Sequence, residues 1–266
     1  MAKSDIVYAL GSSLTTFLCL GGVTLFPQTH VYFAETVLGR RSDAITLGSI
    51  FPDMMVGAGV DHKRAHSLGF ELLSMFRDSE ELTDFALGAV THGISPRGLD
   101  YFGDEKYPGC ELGYCFEKGR ELVEQTIEAC NLPVRMGLWK AHNIVEMGIE
   151  MKISCRDQYG QVLRRAFNNH DLINHLSTVL SAVTGDSKRL KSRIASFPGY
   201  IEVYRATAQS LAGKYRIQMY ARHQININTA KVAHLIEAAA GRVEDDLADF
   251  FRMAEQHVQK EIKSML

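Results

Sequence analysis

Paired cysteines, basic blocks, phosphate-cradling loops and strand-like alternation are all scarce in this chain, and each scarcity removes a class of function. No Cys-X-X-Cys occurs among the five cysteines, so zinc-ribbon and dithiol redox motifs are absent. Five is odd, so complete internal pairing is impossible; a Cys110–Cys115 bridge stays open, and the cysteines otherwise read as buried thiols. Lys and Arg number 29 against 31 Asp and Glu, for a formal charge of −2, with no dense basic run. Nucleic-acid binding therefore has no electrostatic support. No glycine-rich loop leads into Lys-Ser/Thr, and no Gly-X-Ser-X-Gly marks a serine nucleophile. Internal repeats and low-complexity linkers are missing as well.

What is present is helical. Apolar residues recur at helical spacing over residues 68–76, 82–90, 116–130 and 138–153. Further helical stretches are predicted over 162–183, 200–220, 228–240 and 243–266. Turn signals separate them at Thr184-Gly185-Asp186, Pro198-Gly199 and Gly241. An all-α, multi-helix globular domain follows, and 266 residues suffice for a full core. Residues 6–29 carry no charge, a length that fits either an export signal or membrane anchor or a buried helix. The chain thus divides into an apolar N-terminal segment, 1–28, and a single helical domain, 29–266. It is exported or membrane-associated on the first alternative and cytoplasmic on the second.

Two histidine-containing pairs stand out, His62 with His66 and His142 with Glu146, both spaced i, i+4. On a helix this spacing puts both side chains on one face, where a divalent ion can use them together. His30, Asp53, His92 and Asp100 add further donors upstream and between. Each has a plainer alternative. His62, beside Lys63 and Arg64, reads as a surface residue; His66 and His30 could be packed histidines, and Asp53 a helix cap. Glu146 among Ile144, Val145 and Met147 is harder to explain away, because an unpaired carboxylate there is costly.

The motifs THVYFAETVLG, LGSIFPD, DHKRAH, FALGAVTHG with RGLDYF, and AHNIVEMGIE occur in that order. Over about residues 28–153 this ordered set resembles the zinc-dependent phospholipase C family, which is related to the S1/P1-type nucleases. The resemblance implies an all-helical fold holding one to three zinc ions, or another divalent metal, and hydrolysing a phosphoric ester. It implies His30, Asp53, His66, His92, Asp100, His142 and Glu146 as metal ligands. Asp53 is also the candidate catalytic group, as a ligand or as the residue that orients the attacking water. The implied partner is a phosphate-ester substrate, a phospholipid among the candidates, with membrane association as a consequence. One departure is specific: the family's histidine after the bridging aspartate is missing, so Asp104 or Glu105 has to take its place. Tyr101, Phe102 and Tyr107 are candidates to line a cleft or simply to pack.

Two alternatives remain open. His170-Asp171, with His142 before and Asp245 or Asp246 after, resembles the pair of HD phosphohydrolases. A metal-stabilised helical protein without catalysis is the other.

Overall fold

The computed structural model describes residues 26–155 and 158–266. Most of the 6–29 run therefore lies outside the described residues, as does Cys19. Phe26, Pro27 and Gln28 do not stand apart from the helical domain: all three are buried, and Pro27 opens its first helix.

The described residues form helices α1 (Pro27–Leu38), α2 (Asp43–Ser49), α3 (Phe51–Gly57), α4 (His62–Ala65), α5 (Gly69–Met75), α6 (Glu80–His92), α7 (Leu99–Asp104), α8 (Tyr114–Gly119) and α9 (Val123–Cys130). They continue as α10 (Gly137–Ser154), α11 (Tyr159–Asn168), α12 (His170–Val179), α13 (Ser181–Thr184), α14 (Ser187–Ser196), α15 (Ala208–His223), α16 (Thr229–Arg242) and α17 (Leu247–Met265). Among the described residues no strand forms, and one isolated bridge joins Tyr107 and Cys110. None of the described helices is long and apolar enough to cross a membrane.

Local chemistry sets many of the helix starts. Ser42, Asp61, Ser79, Asn169, Asp186 and Asn228 each accept a backbone N–H from the first turn that follows. Thr207 and Ser210 form a reciprocal capping box. That box explains why the helix expected over 200–220 begins only at Ala208. The expected 162–183 helix breaks at Asn169, whose side chain caps Leu172, and again at Leu180. Within 116–130, a 3-10 turn at Arg120–Leu122 separates α8 from α9. Gly119 lies there against the backbone of α10; an added Cβ would stand 3.0 Å from the His142 nitrogen.

Helix α10 runs through the centre and packs against α1, α8, α9, α15 and α16. Among the described helices α2 and α6 share the most extensive contact, and both carry glycine where their backbones meet. A Cβ on Gly88 would lie 2.5 Å from the Ile45 carbonyl oxygen. The four described cysteines, Cys110, Cys115, Cys130 and Cys155, are all free thiols, so no Cys110–Cys115 bridge exists. Phe102 packs edge-on against both Tyr101 and Tyr107.

Candidate metal centre

Five side chains from four helices and one helix end converge on one buried group. α1 supplies His30, α3 Asp53, the end of α4 His66, α6 His92 and α7 Asp100. His30, His66, His92 and Asp53 are 0–3 % exposed and Asp100 is 9 % exposed. Asp100 sits in the middle. Its Oδ1 is 3.4 Å from His30 Nε2, and its Oδ2 is 3.2 Å from both His66 Nε2 and His92 Nε2. Asp53 faces the same rings, at 3.6 Å from His66 Nε2 and 3.7 Å from His92 Nε2. The His30 and His92 rings stack at 3.7 Å.

The backbone fixes the tautomers. His66 Nδ1 donates to the His62 carbonyl at 2.9 Å, and His92 Nδ1 donates to the Ser49 carbonyl at 2.6 Å. A carbonyl oxygen can only accept, so the Nδ1 atoms carry protons and the Nε2 atoms carry the lone pairs of the neutral rings. Each bare Nε2 lone pair then faces carboxylate oxygens. That juxtaposition is repulsive unless a proton or a cation lies between.

Titration follows from this. Burial opposes charge on His66, but Asp100 and Asp53 outweigh it and raise its pKa to about 10. Burial likewise opposes charge on His92, and the same two carboxylates raise it. His30 goes the other way: burial, then the nearby His92, lowers it to about 3. Burial works against ionised Asp100, yet His92 and His30 hold it well below the usual carboxylate range.

Several buried atoms stay unpaired. Both His30 nitrogens, His92 Nε2 and Asp53 Oδ2 lack a hydrogen bond. His30 and His92 lie close to Asp100 but are not aligned to bond it. A buried neutral imidazole with neither nitrogen satisfied is costly, by about 1–3 kcal/mol per group. A divalent ion bound through the ring nitrogens and carboxylates would relieve that cost, and the donor set of imidazole and carboxylate suits zinc.

His142 and Glu146 do not join this group. They form a second one with Asp104. His142 Nε2 is 3.0 Å from Asp104 Oδ1 and 2.8 Å from Glu146 Oε1, and its Nδ1 donates to the Trp139 carbonyl at 3.0 Å. Phe116 stacks on the ring at 4.3 Å. Asn143 donates to the other Glu146 oxygen at 3.1 Å. Burial opposes charge on His142, and Glu146 and Asp104 together hold it well above 6.5; burial raises Glu146 to about 7. Of the two replacements expected for the missing histidine, Asp104 meets His142, whereas Glu105 is exposed.

One short helix spans both groups. Asp100 and Asp104 sit a turn apart on α7, one serving each cluster. A cavity of about 20 Å³, enough for a single water, lies between them, lined by Asp100, Asp104, Glu146, Cys115 and Thr29.

Sequence reasoning missed Glu150, which continues the His142–Glu146 stripe by one more turn. It is fully buried and accepts from Gln28 N at 3.0 Å, Thr29 N at 2.8 Å and Thr29 Oγ1 at 2.7 Å. These belong to the first turn of α1, whose N-cap residue Phe26 offers no side-chain cap. Glu150 thus seats the helix that carries His30. Burial raises its pKa to about 8.

The remaining candidates lie elsewhere. His62 is exposed, its ring stacked on His66 at 4.0 Å. His170 and Asp171 are exposed at the start of α12 and join neither group. Asp246 is engaged by Tyr114 and Lys118. The chain matches no known family model, no curated protein and no solved structure.

Proposed function

We propose that this chain is a divalent-metal-dependent hydrolase of phosphoric esters, of the zinc-dependent phospholipase C type. The observation that carries the metal is the pair of buried rings, His66 and His92, each locked by a backbone carbonyl with Nε2 turned onto carboxylates, beside a wholly unsatisfied His30. What supports hydrolysis is the order of the sequence motifs, together with a second, more open donor group one turn along α7.

A bound ion supplies a water of lowered pKa and positive charge for the phosphate oxygens. The chain's residues do the rest. Carbonyls of His62, Ser49 and Trp139 hold three imidazoles in one tautomer and orientation. Asp53 keeps Oδ2 free of hydrogen bonds, so this oxygen is available to ligate or to orient the attacking water. Asp104, with 26 % of its side chain exposed, marks the side from which solvent and substrate reach the centre. A phospholipid is the substrate that the resemblance suggests.

A second reading has one observation in its favour. The five-residue group is almost wholly buried, as structural metal sites are, whereas catalytic sites keep a position open. Metal analysis by mass spectrometry on untagged protein, with hydrolysis of a chromogenic phosphodiester, separates the two. Bound metal with turnover is the expected result; bound metal without turnover on any phosphoric ester favours the structural role. A fully folded, metal-free preparation that gains no stability from zinc would falsify both.

A further inference from the structure

The start of α10 and the end of α15 expose aromatic and aliphatic side chains at one corner of the molecule. Backbone contacts tie this corner together. Asn131 Nδ2 donates to the Asn226 carbonyl at 2.8 Å, and Asn228 N donates to the Ala129 carbonyl at 2.8 Å. The loop after α9 and the loop after α15 therefore run side by side. Across the same junction the Trp139 and His223 rings meet edge-on at 6.2 Å. Buried Lys140 lays Nζ 3.8 Å from the Trp139 ring centre, which steadies the indole.

Helix α15 decides which side chains face out. Leu211, Ala212, Tyr215 and Met219 are buried against the core. Away from them, Arg216, Tyr220 and His223 follow at i, i+4 and i+7, and Ile217 lies one turn before Tyr220. Tyr220 is 52 % exposed, Trp139 45 % and Ile217 42 %. Val134, in the 3-10 turn just before α10, is 80 % exposed. Apolar residues scattered singly over a surface need no explanation, but Trp139, Tyr220 and Ile217 are joined through His223 into one strip.

Charge selects the occupant. Residues 208–228 hold Lys214, Arg216 and Arg222 and no acidic residue, and residues 129–145 hold Arg135 and Lys140 and none. Arg135 and Arg216 are exposed, and neither enters an ion pair among the described residues. Glu128, at the edge of the corner, is engaged by Lys231 at 2.5 Å. A second copy docked here about a two-fold axis would set cations against cations. An anionic bilayer accepts both features: Trp and Tyr rings sit at headgroup level, and Lys and Arg meet the negative surface. We propose that this corner is the face with which the protein docks on an anionic phospholipid surface, with Trp139 and Tyr220 entering the headgroup layer and Arg135 and Arg216 supplying charge. The Trp139 carbonyl holds His142 Nδ1, so docking brings the second donor group to the lipid. That use for substrate rests on the hydrolase reading; the docking face itself does not.

Trp139 is the sole tryptophan of the chain, so its emission reports on this face alone. The full chain is mixed with vesicles of phosphatidylcholine, or of phosphatidylcholine and phosphatidylserine in equal parts, and followed by fluorescence and flotation. The anionic vesicles should shift the emission to the blue, brominated acyl chains should quench it, and sodium chloride should weaken the binding. Arg216→Glu should weaken binding roughly tenfold, and Tyr220→Ser roughly fivefold. Both positions are exposed, and Arg135→Glu decides the matter where either variant does not fold. Flotation with unchanged Trp139 emission, equal binding in wild type and variants, or no binding to anionic vesicles overturns the proposal. A blue shift without lipid that grows with protein concentration assigns the face to a second copy, and a shift with single-stranded RNA but not with vesicles assigns it to nucleic acid; either result overturns it too. Docking without hydrolysis of either lipid leaves the face standing and removes its use for substrate. Hydrolysis of a soluble phosphodiester without docking does the reverse.

Discussion

Zinc binding should release protons in a number set by the ring environments. In the metal-free protein, His66 is held protonated by Asp100 and Asp53, with a pKa of about 10, and His92 is raised by the same carboxylates. His30, lowered to about 3, carries no proton to lose at neutral pH beyond that of its neutral ring. An ion bound through both Nε2 atoms therefore displaces the His66 proton, with a further contribution from His92, and its apparent affinity should rise at least about tenfold per pH unit between about pH 6 and 8. Entry into the second group displaces one more from His142, and at pH 7 about half a proton from Glu146. Calorimetric titration with zinc in buffers of different ionisation enthalpy counts the protons directly. Affinity that is flat over this range, or release of less than one proton, refutes ligation through the Nε2 atoms.

The same groups fix the slope of stability against pH. A histidine whose folded pKa is raised stabilises fully below its unfolded value and loses that contribution as pH climbs through the folded one. For His66 the window runs from 6.5 to about 10, and its full width is worth roughly 5 kcal/mol. Metal-free protein should thus become less stable across this window, while in excess zinc, which has already displaced the ring proton, that loss should disappear. Parallel slopes in urea unfolding with and without zinc contradict the assignment.

Further expectations concern single residues. Glu146→Gln removes a charge from the His142 group and should cut bound metal affinity by about tenfold or more, whereas His170→Ala, altering an exposed residue, should leave metal content alone; mass spectrometry of both variants decides. Glu150→Ala strands three donors in the first turn of α1, so urea unfolding should show a loss of about 3–5 kcal/mol, with weaker zinc binding because His30 is on that helix. Gly48→Ala drives a methyl into the Phe85 backbone carbonyl and should cost about 1–3 kcal/mol by forcing α2 from α6; a midpoint within experimental error of wild type speaks against the close contact.

How much of this is legible in the sequence depends on the range of the interaction. The i, i+4 spacing of His142 and Glu146 puts them on one helical face, and the structure has them 2.8 Å apart. Periodicity also gives the all-α class, because apolar stripes of helical spacing need other helices to cover them. Helix breaks were harder. Asn169 and Thr207 end or begin helices through side-chain caps, yet both residue types also occur where no helix starts. Glu150 carried a readable signal, four residues beyond Glu146, but its purpose depends on Gln28 and Thr29, more than a hundred residues away. The buried Arg193 and Lys140 gave none: sequence shows charge, and only the packed structure shows that no carboxylate among the described residues forms an ion pair with either.

The division of the donors into two groups rests on α7. From sequence, seven ligands read as one shared set, because nothing local says which way the chain turns after His92. In the structure Gly93 and Gly98 let the chain fold back on itself there, Gly98 N–H donating to the Gly93 carbonyl at 2.8 Å. A Cβ on Gly98 would stand 2.5 Å from the His92 carbonyl carbon, so only glycine fits this return. The turn delivers α7 between α6 and α8 with Asp100 toward the three histidines and Asp104 toward His142. Two carboxylates one turn apart on a six-residue helix cannot move independently. Charge placed on one group is therefore felt through α7 by the other, and zinc should fill the two groups in resolved, unequal steps rather than as one cooperative set.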